Sequence, residues 1–559
     1  MTQPARSPAS VGRRRSSGGA IGIEFHSAPL FWAGILLTAT GVLLHLPDFL
    51  GARAMGYRMA GMEMSWSMHL GMALILSGMP IAGWGLLPRG GAAEPRSRRS
   101  WRFHALDDAP LSAAHWTLLF TLGVALVIDV MKPATLGFVM PGTKAEYGLT
   151  SGQVALLPLF ALTGTTIGSL GWGMLADRMG RRASILLASI LFIGTSICGF
   201  MPSFRWNLFM CFVMGLSAGG MLPVVYALMT ESVPASKRGW MVVLFGGLGT
   251  IGGYMAASGL AALFEPVFTW RILWFAGLPT GLGLVALNRF IPESPRFLME
   301  HGRVREARAV MERYGVVMDD ASDPAVEPEP LPPEPRLEGI GRLFRQPFLP
   351  RTLMLALYGL GWGIVNWGFL TFLPTFLRDG GVEGSRVSEL LFLSAVIAVP
   401  GAVLVAWLYG MWSSKKSLIL YAGITAAAVA GFAFLDPDPA AAQGTLLVVL
   451  VVVLLVASSG AISMLSPYAA EVFPTHLRGS GSGLAAASSK LGGIVGPPIV
   501  AAVATLSPGL AVPAFVTAVP VAVAAVVLSL SGVETRGRRL EELGDPEALA
   551  AVGGTVEVP

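Results

Sequence analysis

The chain has 559 residues, of which 53% are hydrophobic and only 13% are charged. A soluble domain carries about 25% charged residues, so this composition excludes an ordinary soluble protein and indicates a chain that crosses a membrane many times. The net charge of +5 does not indicate nucleic-acid binding, because the basic residues form short clusters without interleaved aromatic residues. Cys198 and Cys211 lie in apolar segments and are interpreted as core residues.

The N-terminal part predicts a leader, a hairpin and a linker. A polar leader over residues 1–28 precedes two apolar runs within 29–88, each long enough to cross a membrane once as a helix. These two runs predict a retained transmembrane hairpin rather than a cleaved signal peptide, because the first run is long and a second span soon follows it. A basic linker over residues 89–114 leads to the rest of the chain.

Twelve further apolar runs follow, and one polar insert divides them into two sets of six. The insert at 292–350 contains a helix-like stretch, REARAVMERYG, and then the Pro- and acid-rich stretch DDASDPAVEPEPLPPEP. It separates six-helix bundles at 115–291 and 351–531, and a polar tail follows at 532–559. The predicted starts lie near residues 115, 152, 184, 206, 240, 271, 351, 386, 416, 444, 481 and 511.

The predicted fold is therefore an all-α polytopic membrane protein, with a twelve-helix core of six plus six helices and an N-terminal two-helix hairpin. Lys and Arg clusters fall in every second loop, which predicts that those loops and both termini are cytoplasmic. The remaining loops hold only scattered bases, such as Lys144 and Arg378.

Two copies of one motif indicate an internal duplication. ESVPASKRG at 231–239 and EVFPTHLRG at 471–479 share the pattern Glu-x-x-Pro-x-x-x-Arg-Gly and stand 240 positions apart. Each copy ends the fourth span of its six-span half. Paired halves of this kind are typical of secondary transporters.

With these motifs, the chain resembles the major facilitator superfamily, and within it the sugar-porter and organic-acid/proton symporter branches. The resemblance covers about residues 115–531. It also includes GMLADRMGRR at 173–182, PESPR at 292–296 and LGGIVGPP at 491–498. It implies two pseudo-symmetric bundles that rock about a central site, with the cytoplasmic motifs forming a lock in the outward-open state.

The resemblance assigns gating roles to residues of these cytoplasmic motifs, whose Arg and Glu side chains are expected to bridge the halves. Because the second-half counterpart GMWSSKK at 410–416 lacks the Asp, the lock is expected to be asymmetric and carried mainly by the first half. The gating residues are Gly173, Asp177, Arg178, Gly180, Arg181, Arg182, Glu231, Arg238, Glu293, Arg296, Glu471 and Arg478.

Two charges in the first core span are expected at the transport site, because intramembrane charges are costly and often mark pathways. Asp129 and Lys132 stand three residues apart on one helical face and are expected to neutralise each other in part. In relatives an Asp-Gly-x-Asp motif lies here with a proline twelve residues beyond its first Asp, as Pro141 is here. The hypothesis is that Asp129 takes the coupling proton and Lys132 pairs with an anionic substrate. The alternative is a buried ion pair that only fixes packing.

Five more residues complete the candidate site. Lys490 would bind the substrate anion or extend to the membrane interface. Tyr226, Tyr358, Asn366 and Trp367 lie on spans that line the central cavity in relatives, although each taken singly is expected to be ordinary helix packing. As a set they are candidate pocket walls.

The loop of the hairpin is rich in methionine. The loop and its flank carry His69 and six methionines: Met55, Met59, Met62, Met64, Met68 and Met72. Thioether ligands suit Cu(I), but such residues are also ordinary packing material. Metal binding is the weaker interpretation, and no metal site is assigned.

The function that follows is proton-coupled symport of a small organic acid or sugar-like metabolite across the cell membrane. The partners are an anionic small molecule, protons and the lipid bilayer, with no cofactor and no nucleic acid. A proton-antiport exporter and a non-transporting sensor are the alternatives. Enzyme activity is not expected, because the sequence contains no nucleophile elbow, zinc-type His/Glu motif or Walker loop.

Overall fold

Fourteen helices long and apolar enough to cross a membrane occur in the part of the chain that the structure describes. The structure is a computed structural model that describes residues 26–87, 110–301, 303–316, 341–435, 444–473, 477–507 and 509–535. Most of the leader, linker and tail lies outside these residues, as does the Pro- and acid-rich stretch of the insert.

Helices α1 and α2 form the predicted hairpin, and the twelve helices of the core follow it. The hairpin helices are Ala28–Met55 and Trp66–Leu86. Helices α3–α8, the first half, are Ala113–Tyr147, Ser151–Ala176, Arg181–Phe200, Phe204–Ser232, Lys237–Phe268 and Ile272–Phe290. Helices α9–α14, the second half, are Leu349–Asp379, Gly384–Met411, Ser414–Phe434, Thr445–Val472, Ser480–Leu506 and Ala511–Ser531. The predicted fold class is confirmed, and every predicted start lies within a helical turn of the observed one.

Serine residues set several of the helix starts. Ser65, Ser203 and Ser413 each precede an apolar run in extended conformation, and each side chain accepts a hydrogen bond from a backbone N–H in the first turn. A serine in this position satisfies a donor that the helix leaves unpaired. The boundary between polar and apolar sequence therefore becomes the helix boundary.

Glycines allow α4 and α6 to pack backbone against backbone. A Cβ at Gly215 would collide with the carbonyl of Ala161, and one at Gly219 would collide with the carbonyl of Thr165. The small residues of GLSAGG at 215–220 thus form a face suited to close helix contact in lipid.

Helix α9 contains a π-helical turn at Ile364–Leu370. Pro374 follows it inside the same helix and has no N–H to donate to the carbonyl of Leu370. Since such turns insert one residue into the helix, the side chains at 366 and 367 are re-aimed relative to the rest of α9. Beyond this turn, α9 touches the first half where the backbone of Thr371 lies against Gly137.

The helix predicted within the insert is Val304–Arg313, and it lies beneath the first half. Its apolar residues Ala307, Val310 and Met311 are buried, packed with the beginning of α3. The Tyr314 ring packs at a tilt against His115, with a centroid distance of 4.6 Å. This part of the insert is therefore an amphipathic helix that buries its apolar side against the first half.

The hairpin packs on α5 and α8 of the first half. Phe49 lies 5.1 Å from Phe200 between ring centroids, and Ile75 belongs to the same apolar cluster as Ile193. Exposed tryptophans stand near its ends: Trp66 at one end, and Trp32 and Trp84 at the other. Tryptophan favours the interface between lipid and water, so the exposed face of the hairpin is suited to lipid.

Candidate functional site

Asp129 and Lys490 carry opposite charges and come from different halves of the core. Asp129 lies in α3 and is 3% exposed, and its Oδ1 has no hydrogen-bond partner among the described residues. Lys490 lies near the middle of α13 and is the opposite charge close enough to act on Asp129. The Lys490 ammonium also donates to the hydroxyl of Ser169 in α4. Lys490 thus points across the boundary between the halves.

Lys132 does not pair with Asp129, which corrects the expectation from their spacing. Its Nζ donates to the carbonyl of Phe192 at 2.6 Å and to the hydroxyl of Thr195 at 3.0 Å. At this point α5 changes from α-helix to 3₁₀-helix, which begins at Thr195. Lys132 therefore joins α3 to a break in α5 inside the first half.

The candidate pocket residues separate into two groups. Tyr358 is 1% exposed, and its hydroxyl lies 3.4 Å from the carbonyl of Ala461, so it packs helices of the second half together. Asn366 and Trp367, on the π-helical turn, are only half-buried. Among the described residues the Asn366 amide group has no hydrogen-bond partner.

Trp367 and Tyr226 lie beside the charged pair. The indole of Trp367 packs against Gly493, one helical turn beyond Lys490 on the same face of α13. Tyr226 of α6 is half-buried, and its hydroxyl is close enough to Asp129 to interact electrostatically. One cation, one carboxyl group and two aromatic side chains therefore lie together between the halves.

The gating motifs of the first half form one network at one end of the bundle, here called the motif face. The carboxylate of Glu293 accepts hydrogen bonds from the backbone N–H groups of Arg181 at 2.8 Å and Arg182 at 3.2 Å, which caps the start of α5. The Arg181 guanidinium pairs with Glu231 at 3.3 Å, and Ser294 donates to the same carboxylate. Burial raises the pKa of Glu293 to about 7.

The bonds of this network between described residues join helices of the first half, and bridging of the two halves by these Arg and Glu side chains stays a prediction. Gly180 supports it with a φ of +97°, which brings its backbone against Glu293. Arg238 donates to the carbonyl of Val233, also in the first half. Gly173, Arg178 and Arg296 are exposed, and the side chains of Asp177 and Arg478 lie outside the described residues.

The second half builds a comparable network although its loop lacks the Asp, and the expected asymmetry of the lock stays a prediction. Glu534 accepts from the N–H of Ser414 at 3.1 Å and from its hydroxyl at 2.6 Å, and so caps α11. Thr535 donates to Glu471 at 2.5 Å, as Ser294 does to Glu231. Sequence reasoning missed Glu534 and Thr535. The signal is that a Glu-Thr pair follows the last span of the second half, as Glu-Ser at 293–294 follows that of the first.

Two ion pairs join the halves at the other end of the bundle, here called the opposite face. Arg378 of α9 bonds both carboxylate oxygens of Glu265 in α7 at 2.7 Å, and both side chains are less than one-fifth exposed. Lys144 of α3 pairs with Asp379 at 2.6 Å and is more exposed. Neither pair was predicted, because their sequence positions show only isolated charges in loops.

No group of three or more His, Cys, Asp or Glu side chains suited to a metal ion occurs among the described residues. Some methionines of the hairpin loop are buried against the first half, and others are exposed. Met59 and Met68 are buried in the apolar cluster against the first half, whereas Met55 is 53% exposed.

The core consists of two matched half-bundles with polar networks at one face, ion pairs between the halves at the other face, and charged side chains between them. This arrangement defines a secondary active transporter of small molecules in the membrane. Such proteins expose a site near the midplane to each side in turn. The sequence model of the Major Facilitator Superfamily matches residues 117–497 of this chain. The chain belongs to this family, whose members are transporters and not, in general, enzymes.

Similar proteins cover most of the chain. The niacin transporter NiaP of Acinetobacter baylyi is 28% identical over 78% of this chain and 98% of its own length. A gallate transporter of Pseudomonas putida is 27% identical over 76% of this chain and 94% of its own length. The solved structure of the proton:xylose symporter XylE bound to 6-bromo-6-deoxy-D-glucose has a TM-score of 0.59 and 18% identity, over 78% of this chain and 99% of that one. At that identity the structural match shows the fold.

Proposed function

We propose that this protein takes up a small aromatic carboxylate together with protons across the cell membrane by alternating access. The motif face, the insert and both termini are cytoplasmic in this proposal, and α3–α8 move against α9–α14. The two ion pairs between the halves lie at the opposite face, so the structure corresponds to a state closed to the outside.

The observation that carries the proposal is that Asp129 of the first half and Lys490 of the second half lie close enough for their charges to interact. An ionised Asp129 balances the ammonium of Lys490, and a charge at this depth needs such a balance. When Asp129 takes a proton, Lys490 is left with one positive charge that a substrate carboxylate neutralises. Proton and anion therefore bind together, which is the requirement for symport.

Trp367 and Asn366 supply the remaining recognition. The Trp367 ring offers an apolar face near Lys490, and the Asn366 amide offers a donor and an acceptor. Niacin and gallate, after which two relatives are named, are both carboxylates on an aromatic ring. This chemistry matches a cation beside an aromatic wall, and it favours an acid over a neutral sugar.

Uptake into proteoliposomes tests the proposal, with labelled nicotinate, gallate and xylose and with or without an inward proton gradient. The gradient is expected to drive uptake of a carboxylate. Asp129→Asn is expected to abolish gradient-driven accumulation while exchange of labelled for unlabelled substrate continues. Lys490→Gln is expected to abolish both, whereas Lys416→Gln, at an exposed lysine of α11, is the matched control.

Full gradient-driven accumulation by Asp129→Asn would contradict the proton assignment. Uptake of xylose alone would contradict the role of Lys490 as the anion site, and the absence of any uptake would contradict import.

A further inference from the structure

The outer loop of the hairpin ends in a tight turn at residues 59–62. Met62 N–H donates to the carbonyl of Met59 at 3.1 Å, and Gly61 has a φ of +77°. This is the pattern of a type II turn, in which glycine takes the third position and proline is favoured at the second, here Ala60. The N–H of Gly61 donates to the carbonyl of Pro202 at 3.0 Å, which ties the turn to the loop before α6.

The carboxylate of Glu146, at the end of α3, holds this turn. It accepts the N–H groups of Met59 at 3.0 Å and Ala60 at 3.1 Å on one oxygen. It also accepts from Trp270 at 2.9 Å and from Arg271, fully buried, at 2.6 Å. One carboxylate therefore joins the hairpin to the end of α3 and the start of α8.

Lys144 lies two residues before Glu146, in the last turn of the same helix. Its ion pair with Asp379 joins the halves, but the side chains are 24% and 52% exposed. Exposed pairs contribute little, largely because ordering two long side chains costs entropy. A backbone that is already held in place lowers this cost.

We propose that the turn at 59–62 is a positioning element for the gate at the opposite face. By holding Glu146 it fixes the last turn of α3, presents Lys144 to Asp379 and favours the state in which that face is closed. The inference goes beyond the transport function proposed above and uses only its alternating-access part.

The other contacts of the hairpin are expected to contribute little to this effect. The apolar contacts fall on α5 and α8 and, through Tyr57, on Phe268 of α7, and the turn bonds to Pro202 and Glu146, all in the first half. Contacts that are the same in both states of a transporter shift no equilibrium, however strong they are. The path through Lys144 is different, because its partner Asp379 belongs to the other half.

Ala60→Pro isolates the effect. Proline suits the second position of this turn, and position 60 lies on the surface. The substitution removes one of the turn's two backbone N–H donors to Glu146. Ala60→Ser keeps the donor and is the matched control. The reporter is Thr371→Cys, a buried position that lies against Gly137 of the first half. Both native cysteines are buried, so labelling of the folded full-length protein by a membrane-impermeant maleimide reports opening of the opposite face.

Ala60→Pro is expected to speed labelling about two- to five-fold, and by no more than Lys144→Met, because an exposed pair contributes at most about five-fold. In the background of Lys144→Met, adding Ala60→Pro is expected to change nothing further. A thermal melt of each purified variant confirms that the labelling reports opening and not unfolding.

Unchanged labelling in Ala60→Pro would overturn the inference. So would a full additional effect in the double variant, because the turn would then act without Lys144. The assay needs no substrate, so a failed uptake experiment leaves this test intact, and a failed labelling experiment leaves the assignments of Asp129 and Lys490 untouched.

Discussion

Replacing Arg378 with methionine should open the opposite face. Arg378 and Glu265 make a two-oxygen pair with side chains 19% and 12% exposed. Exposed pairs contribute up to about 1 kcal/mol, whereas breaking a buried pair costs about 3–5 kcal/mol. At this intermediate burial, Arg378→Met should cost the closed state about 2 kcal/mol, because Glu265 would be left without its partner there but hydrated in the open state. That free energy corresponds to a roughly 30-fold shift toward the open state.

Maleimide labelling of Thr371→Cys measures this shift. Arg386→Met is the matched control, since Arg386 pairs with Glu389 within one helix and both side chains are about half exposed. Exchanging the two charges, with Glu265→Arg and Arg378→Glu together, should restore slow labelling. If Arg378→Met labels no faster than Arg386→Met, the pair does not hold the face closed and the reasoning is refuted.

Two further predictions concern groups inside the first half. Because burial raises the pKa of Glu293, the folded protein keeps a proton between about pH 4.5 and 7 that the unfolded chain releases. The free energy of unfolding should therefore fall as the pH rises through that window, by at most roughly 3 kcal/mol. Glu293→Gln should flatten the dependence of melting temperature on pH there, and an unchanged slope would assign it to other groups. Lys132→Met should lower stability by about 1–3 kcal/mol, because the Phe192 carbonyl loses its charged donor and keeps the hydroxyl donors of Thr195 and Ser196. KM for the transported acid should stay the same, and a large rise in KM would return Lys132 to the binding site.

Local signals in the sequence predict most of the helices and little of the tertiary pairing. Apolar runs bounded by serines such as Ser65 and Ser203 define where helices begin, because burial and capping act on neighbouring residues. The spacing of Asp129 and Lys132 is equally local, yet it predicts the wrong pair. Which partner a buried charge takes depends on helices far away in the chain, here α5 for Lys132 and α13 for Asp129.

The same limit applies to the ends of the bundle. Arg378 and Glu265 stand 113 positions apart, and nothing near either residue indicates the other. Glu534 was within reach of sequence reasoning, because the duplication that relates Glu231 to Glu471 also relates Glu293 to Glu534. That comparison requires aligning the two halves beyond their strongest motif.

The one-sided attachment of the hairpin makes the two halves unequal in size. In the proposed alternating-access cycle, one moving body has eight membrane helices and the other has six, and the hairpin moves with the first. In a viscous bilayer with no external torque, two bodies that turn against each other divide the motion in inverse proportion to their rotational friction. The smaller body, α9–α14, should therefore sweep the larger angle through the lipid, with the larger body acting as the more stationary frame.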